Sequence, residues 1–121
     1  MPQQKTSRPS IFPAYALEAS SIPHFVVSPD HAVVEWNHAC EILTGYPSSQ
    51  MIGSKDQWKP FYATERPCLA DLLIDGASMK TIRSFYKGMR VKALPDHGVE
   101  VEAFFAPLLK DGRWLRFTAA T

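Results

Sequence analysis

The sequence predicts an α+β domain: an antiparallel sheet with short helices packed on one of its faces. Three observations carry that expectation. Apolar residues recur with period two near both ends of the chain, they recur with helical spacing in the middle, and 121 residues are enough for one compact core and not two. Strands at the two ends with helices between them point to helices segregated on one side of an antiparallel sheet.

The first strands are expected over residues 24–28 and 32–36, rich in β-branched and aromatic side chains, with Pro29-Asp30 turning the chain between them. Asn37 stands where a helix N-cap belongs. Ala39, Ile42, Leu43 and Tyr46 follow at the spacing of one helical face, and Gly45 supplies the left-handed stop. Residues 47–51 predict a further helical turn before Gly53. Thr64 is the expected cap of the next helix, with Pro67 in its first turn, Leu69, Leu72 and Leu73 as its buried stripe and Gly76 at its end. Ile82, Phe85, Tyr86 and Met89 repeat the spacing and predict a helix over residues 78–87. Then period two returns. Val99, Val101, Ala103 and Phe105 alternate with Glu100 and Glu102, and after the Lys110-Asp111-Gly112 turn Leu115, Phe117 and Ala119 alternate with Arg116 and Thr118.

Composition excludes several classes. The formal charge is +1, with basic and acidic residues interspersed, so there is no basic stripe for nucleic acid. Cys40 and Cys68 form no Cys-x-x-Cys pairing, which suits a reducing compartment better than a disulfide or zinc framework. No apolar run reaches the ~18 residues of a membrane span, and no signal peptide is evident, so a cytoplasmic location is expected. Residues 1–10 read as a loose polar arm and 11–19 as an apolar capping or dimerisation segment. The domain proper is expected over 22–121, preceded by this N-terminal part at 1–21.

Specific residues sharpen the fold. Ile22-Pro23-His24-Phe25-Val26-Val27, then Trp36-Asn37-His38-Ala39-Cys40-Glu41 and Thr44-Gly45-Tyr46, resemble the opening of bacterial PAS sensory domains. Met51-Ile52-Gly53, Trp58-Lys59-Pro60-Phe61-Tyr62, Arg66-Pro67, Leu69-Ala70-Asp71-Leu72 and the run from Gly112 to Ala120 resemble a subgroup found in sensor histidine kinases, chemoreceptors and diguanylate cyclases. The resemblance implies a signal-sensing module that binds a small ligand between sheet and helices and relays a shape change to such an output domain, within a homodimer. The alternative is a ligand-free dimerisation or protein-interaction module. The resemblance further implies one more strand after the Ala119-Ala120 segment, central in the sheet, yet Thr121 ends the sequence where it would begin. The chain is therefore expected to be truncated before that last strand; donation of a strand by residues 11–19 or by a second copy is the other arrangement.

Candidate ligand-binding residues are Trp58, Phe61, Tyr62, Leu69, Leu72, Leu73, Tyr86, Trp114 and Phe117 as apolar wall, with Arg66 as the polar end and Arg83 as a second guanidinium. Core filling is the simpler role for the aromatics. His24, His31, His38 and His97 share no metal-ligand spacing and are expected to be solvated or locally bonded. The cofactor is left unassigned. Residues 79–88 lack the histidine of haem-binding relatives, and neither cysteine sits in the Asn-Cys-Arg motif of flavin photosensors, so both groups are disfavoured. Cys40, near a helix start, is the candidate for a lowered thiol pKa. Ser, His and Asp are present without a nucleophile elbow, phosphate loop or paired carboxylates, so no catalysis is expected.

Overall fold

The computed structural model describes residues 21–95, 98–105 and 112–120. The arm at 1–10, the segment at 11–19, His97, Lys110 and Asp111 lie outside those residues. Strand β1 (Phe25–Val27) pairs antiparallel with β2 (Val33–Trp36) in a two-stranded sheet. Strands β3 (Arg90–Ala93), β4 (Val99–Phe105) and β5 (Arg113–Ala119) form a separate antiparallel sheet in the order β3-β4-β5. Helices α1 (His38–Thr44), α2 (Ser48–Met51), α3 (Leu69–Ile74) and α4 (Met79–Phe85) occupy the middle of the chain.

The first hairpin turns through Pro29-Asp30 as expected, and His31 completes the turn at a positive φ of 71°. Side-chain hydrogen bonding makes such a conformation tolerable for a polar residue. Asn37 caps α1: its Oδ1 accepts from the Cys40 and His24 amides at 3.0 and 2.9 Å, and its Nδ2 donates to the Ile22 carbonyl at 2.9 Å. One side chain thus joins the helix start to the strand that precedes it. Gly45 closes α1 in the left-handed region, where φ of 79° costs glycine no Cβ clash.

The buried position of α1 is Cys40; Ile42 is 69% exposed, so the helical face is displaced from the one that the apolar spacing suggests. Trp36 explains the displacement. It is buried with Val33, Cys40 and Met51, and its Nε1 donates to the Tyr46 carbonyl, which anchors α1 by its Cys40 side. Helix α3 corrects a second expectation. Its N-cap is Cys68, not Thr64, and Asp71 supplies the capping carboxylate by accepting from the Cys68 amide at 2.9 Å. Pro67 therefore lies before the helix instead of inside it. Ser78 caps α4 by accepting from the Thr81 amide, and Ile82 and Tyr86 are its buried residues and C-terminal neighbour, while Phe85 and Met89 are largely exposed.

Strand β3 is the element that the sequence pattern does not show. It lies on the edge of its sheet, in register with β4 from Arg90 opposite Glu102 to Ala93 opposite Val99. Val99, Val101, Ala103 and Phe105 of β4 are all buried, and Leu69, Leu72, Ile82 and Tyr86 cover them from the helical layer. Fourteen residues separate the register pair Glu102–Arg116 on the outer face, where the Arg116 guanidinium donates to the Glu102 carboxylate at 3.0 Å.

Candidate functional site

Between the two sheets lies a cleft of about 440 Å³. One wall is the chain entering and forming β1, residues 22–25; the opposite wall is β5 and the residue after it, residues 115–120. The helical layer closes the cleft with Phe61, Tyr62, Cys68 and Leu69, and Cys40 and Leu43 of α1 complete it. Among the described residues β1 pairs only with β2 and β5 only with β4, so no hydrogen-bonded ladder crosses the cleft.

Each wall follows from local sequence. Phe117 lies opposite buried Val101 and Leu115 opposite buried Ala103, so period two turns both inward. Phe61 is placed by the turn at residues 58–61, where the Phe61 and Tyr62 amides both donate to the Trp58 carbonyl. Its ring then meets Phe25 at 6.3 Å on one side and Phe105 at 5.4 Å on the other. Phe61 is accordingly the aromatic bridge between the sheets. Phe105 also packs on Tyr62 and Phe117, at 5.5 and 5.4 Å.

Of the residues singled out from sequence, Phe61, Tyr62, Leu69 and Phe117 line this cleft. Tyr86 and Arg66 stand behind Tyr62. The Tyr62 and Tyr86 hydroxyls are 2.8 Å apart, and the Arg66 guanidinium lies 3.9 Å from the Tyr62 ring centre and 4.8 Å from that of Tyr86. Arg66 also donates to the Phe85 carbonyl, while its buried Nη2 has no hydrogen-bond partner among the described residues. Leu72 is in the core and Leu73 packs against it. Trp58 is half-buried outside the cleft lining. Trp114 is 66% exposed and packs on Phe104 across the outer face of the sheet. Arg83 donates to the Val91 carbonyl near α4 and β3.

Burial shifts His24, Cys40, Cys68, Tyr62 and Tyr86 around the cleft toward their neutral forms. Burial pushes the Cys40 thiol up to about 12, and the neighbouring Glu41 charge adds to this. The expectation of a lowered thiol pKa from the helix start is thus overturned: a seven-residue helix offers little compensation for removing the thiolate from water. Burial, then Asp71, raises the Cys68 thiol as well. Burial is also the main cause that raises the Tyr62 and Tyr86 phenols, Tyr86 to about 12. Burial lowers the His24 imidazole, which keeps it uncharged near neutrality. Among the described residues no group of histidines, cysteines and carboxylates is placed to hold a metal ion.

Sequence reasoning missed Phe25, Phe105 and Leu115 as cleft residues. Alternation along the strands was the available signal, since it puts Phe105, Leu115 and Phe117 on one face. It also missed His31. Instead of bonding locally, His31 places Nδ1 2.8 Å from Asp71 Oδ1 on α3 and Nε2 2.9 Å from Oδ1 of Asp75, the C-cap of that helix.

A family model described as PAS fold matches residues 13–55, which run from before β1 to beyond α2. No curated protein and no solved structure matches at a level that shows kinship. The matched region contains the hairpin, the Trp36-Asn37 step and the Gly45 stop, and it supports a PAS domain. The architecture, antiparallel sheets with short helices, is α+β and consistent with a PAS-like fold. No helix among the described residues is long and apolar enough to cross a membrane.

Proposed function

We propose that the chain is a signal-sensing module whose cleft takes a small apolar or amphipathic ligand. The cleft between the two sheets carries this reading. Its volume of about 440 Å³ falls within the range of small-molecule sites, and its walls are mainly apolar and aromatic with few polar groups. Because among the described residues no ladder joins β1 to β5, a ligand between them can alter the separation of the sheets without breaking the strand pairing described. Such a ligand shifts a two-state equilibrium by its differential affinity for the two separations. An attached output domain, of the histidine kinase, chemoreceptor or diguanylate cyclase kind in the cytoplasm, reads the shift, with residues 11–19 holding two copies together. Phe61, Tyr62, Leu69 and Phe117 contact the ligand, and Arg66 and Tyr86 support Tyr62 from behind. The role is non-catalytic: thiols and phenols with raised pKa values are poor nucleophiles and bases at neutral pH.

A second reading is favoured by one observation. The cleft is lined by consecutive residues 115–120, not by alternate ones, so it follows the edge of β5 as well as its inner face. An extended polypeptide segment laid along that edge would make the domain an interaction module. Native mass spectrometry beside a denatured control separates the readings. A non-covalent small-molecule adduct, absent from a folded Ala119→Trp variant that fills the cleft, supports the sensor. An adduct that persists in this variant overturns the cleft as its site. A bound polypeptide or an adduct-free dimer transfers the assignment to the interaction module.

A further inference from the structure

The hairpin turn and α3 meet at a polar cluster. His31 stands between Asp71 and Asp75, with a carboxylate oxygen within 2.9 Å of each ring nitrogen. A neutral imidazole has one N–H, so it satisfies one of these contacts and turns a lone pair on the other; only the imidazolium donates to both. A carboxylate at each ring nitrogen favours that cation. Asp71 is buried, and its Oδ1 also accepts from Gln57 Nε2 at 2.9 Å while its Oδ2 caps α3. Gln57 Nε2 in turn donates to the His31 carbonyl at 3.0 Å, fixing the positive-φ residue at both its backbone and its side chain. The charges that act on His31 are those of Asp71 and Asp75; Asp30, next to it in the turn, is tied back by the Ser28 hydroxyl and attracted by Lys55.

We propose that His31, held between Asp71 and Asp75, is a proton-operated latch that ties the β1–β2 hairpin to α3 and thereby holds two walls of the cleft together. The connection to the cleft is short on both sides. His24 and Phe25 of the latched hairpin line one wall, and Cys68, Leu69 and Ala70, adjoining Asp71, line another. The regulatory half of this inference rests on the cleft being a binding site; the latch itself does not.

The sign of the pH dependence follows from the partners. The hydrogen bond to Asp71, reinforced by Asp75, raises the His31 pKa above its ordinary 6.5. The contribution of the latch is therefore complete below about pH 6.5, the unfolded-state value, and is lost as pH rises through the folded-state value. Raising the pH through the folded-state value opens the cleft.

The test joins NMR titration of the His31 ring, amide exchange of α3 corrected for intrinsic rates, and binding of Nile red, an uncharged dye. In the wild type the ring should titrate above its ordinary value, and Asp75→Asn, an exposed position, should lower that value. Above the transition the Leu72 and Asp75 amides should exchange faster, and Nile red should bind about threefold or more tightly than at acid pH. His31→Asn, which suits a positive φ, should make exchange and dye binding independent of pH in this range. A ring that titrates at or below the ordinary value overturns the latch, as does an Asp75→Asn variant with an unchanged ring pKa. Dye binding with the same pH dependence in His31→Asn overturns the coupling to the cleft. If Nile red binds at no pH while ring and exchange behave as expected, the latch stands and the cleft reading fails. Should His31→Asn not fold, Asp75→Asn carries the same measurements.

Discussion

The two halves of the core are held by different means. On the hairpin side, Val33, Trp36, Cys40 and Met51 form a small buried cluster whose contacts are close in sequence and pinned by polar groups: Asn37 caps α1, Trp36 Nε1 donates to Tyr46, and the Gly53 and Ser54 segment exchanges backbone hydrogen bonds with Val33. On the other side, Leu69, Leu72, Ile82 and Tyr86 cover the inner face of β4, and distant pairing sets the geometry. The first half is specified by caps, the second by strand alternation and helix cover. Phe25 on Phe61 and His31 on Asp71 and Asp75 are two of the contacts that join them. This division makes the region between the halves the place where a small change in free energy produces motion.

The comparison is broken most severely by emptying either cluster. Trp36→Ala and Phe105→Ala should each cost about 3–5 kcal/mol, because each removes a buried aromatic that its neighbours cannot replace. Urea unfolding followed by both tryptophan fluorescence and circular dichroism reads the result. Coincident transitions in both variants show one cooperative unit. Separated transitions, with the intact half surviving, show two.

Asn37→Ala should cost about 2 kcal/mol, at the upper end for an N-cap, since it also deprives the His24 amide and the Ile22 carbonyl of a partner. Gly45→Ala should cost about 1 kcal/mol: nothing stands within 4 Å of an added Cβ, so the loss is the left-handed backbone alone. Both are read from urea midpoints. A Gly45→Ala loss equal to that of Trp36→Ala would mean that packing, not backbone conformation, decides this position. The smallest effect is expected at the outer face. Trp114→Ala should change stability by less than about 1 kcal/mol, the scale of an exposed cross-strand pair.

Much of this fold was legible because its signals are local. Asn37 before an apolar helical pattern, Gly45 after it, Ser78 ahead of Ile82 and the alternation from Val99 to Phe105 each state a backbone conformation within a few residues. Strand β3 was not legible for the opposite reason. Arg90 and Lys92 face outward, Val91 is half-buried and Ala93 is exposed, so an edge strand of this kind has no apolar stripe and exists through its pairing with β4. The start of α3 was misread because the cap comes from Asp71 inside the helix, not from a polar residue ahead of it. In the candidate site, Phe61, Tyr62, Leu69 and Phe117 stood out as large apolar groups. Phe25 and Cys40 did not, because lining a space between two sheets is a relation between distant segments that no single segment encodes. The same alternation that turns Leu115 and Phe117 inward sends Trp114 outward. His31 looked like an ordinary turn residue, with its partners forty and forty-four positions away.

The placement of the tryptophans has an optical consequence. Trp36 is sealed in the hairpin cluster with its indole N–H bound to a carbonyl, whereas Trp114 stands in water on the far sheet. Iodide in solution will quench the red-shifted emission of Trp114 at once and reach the blue emission of Trp36 only when the hairpin half opens. With the half-buried Trp58 replaced by Phe, the molecule carries a separate intrinsic reporter on each side of its cleft, one sealed from solvent and one 66% exposed, and their ratio follows the opening without any label.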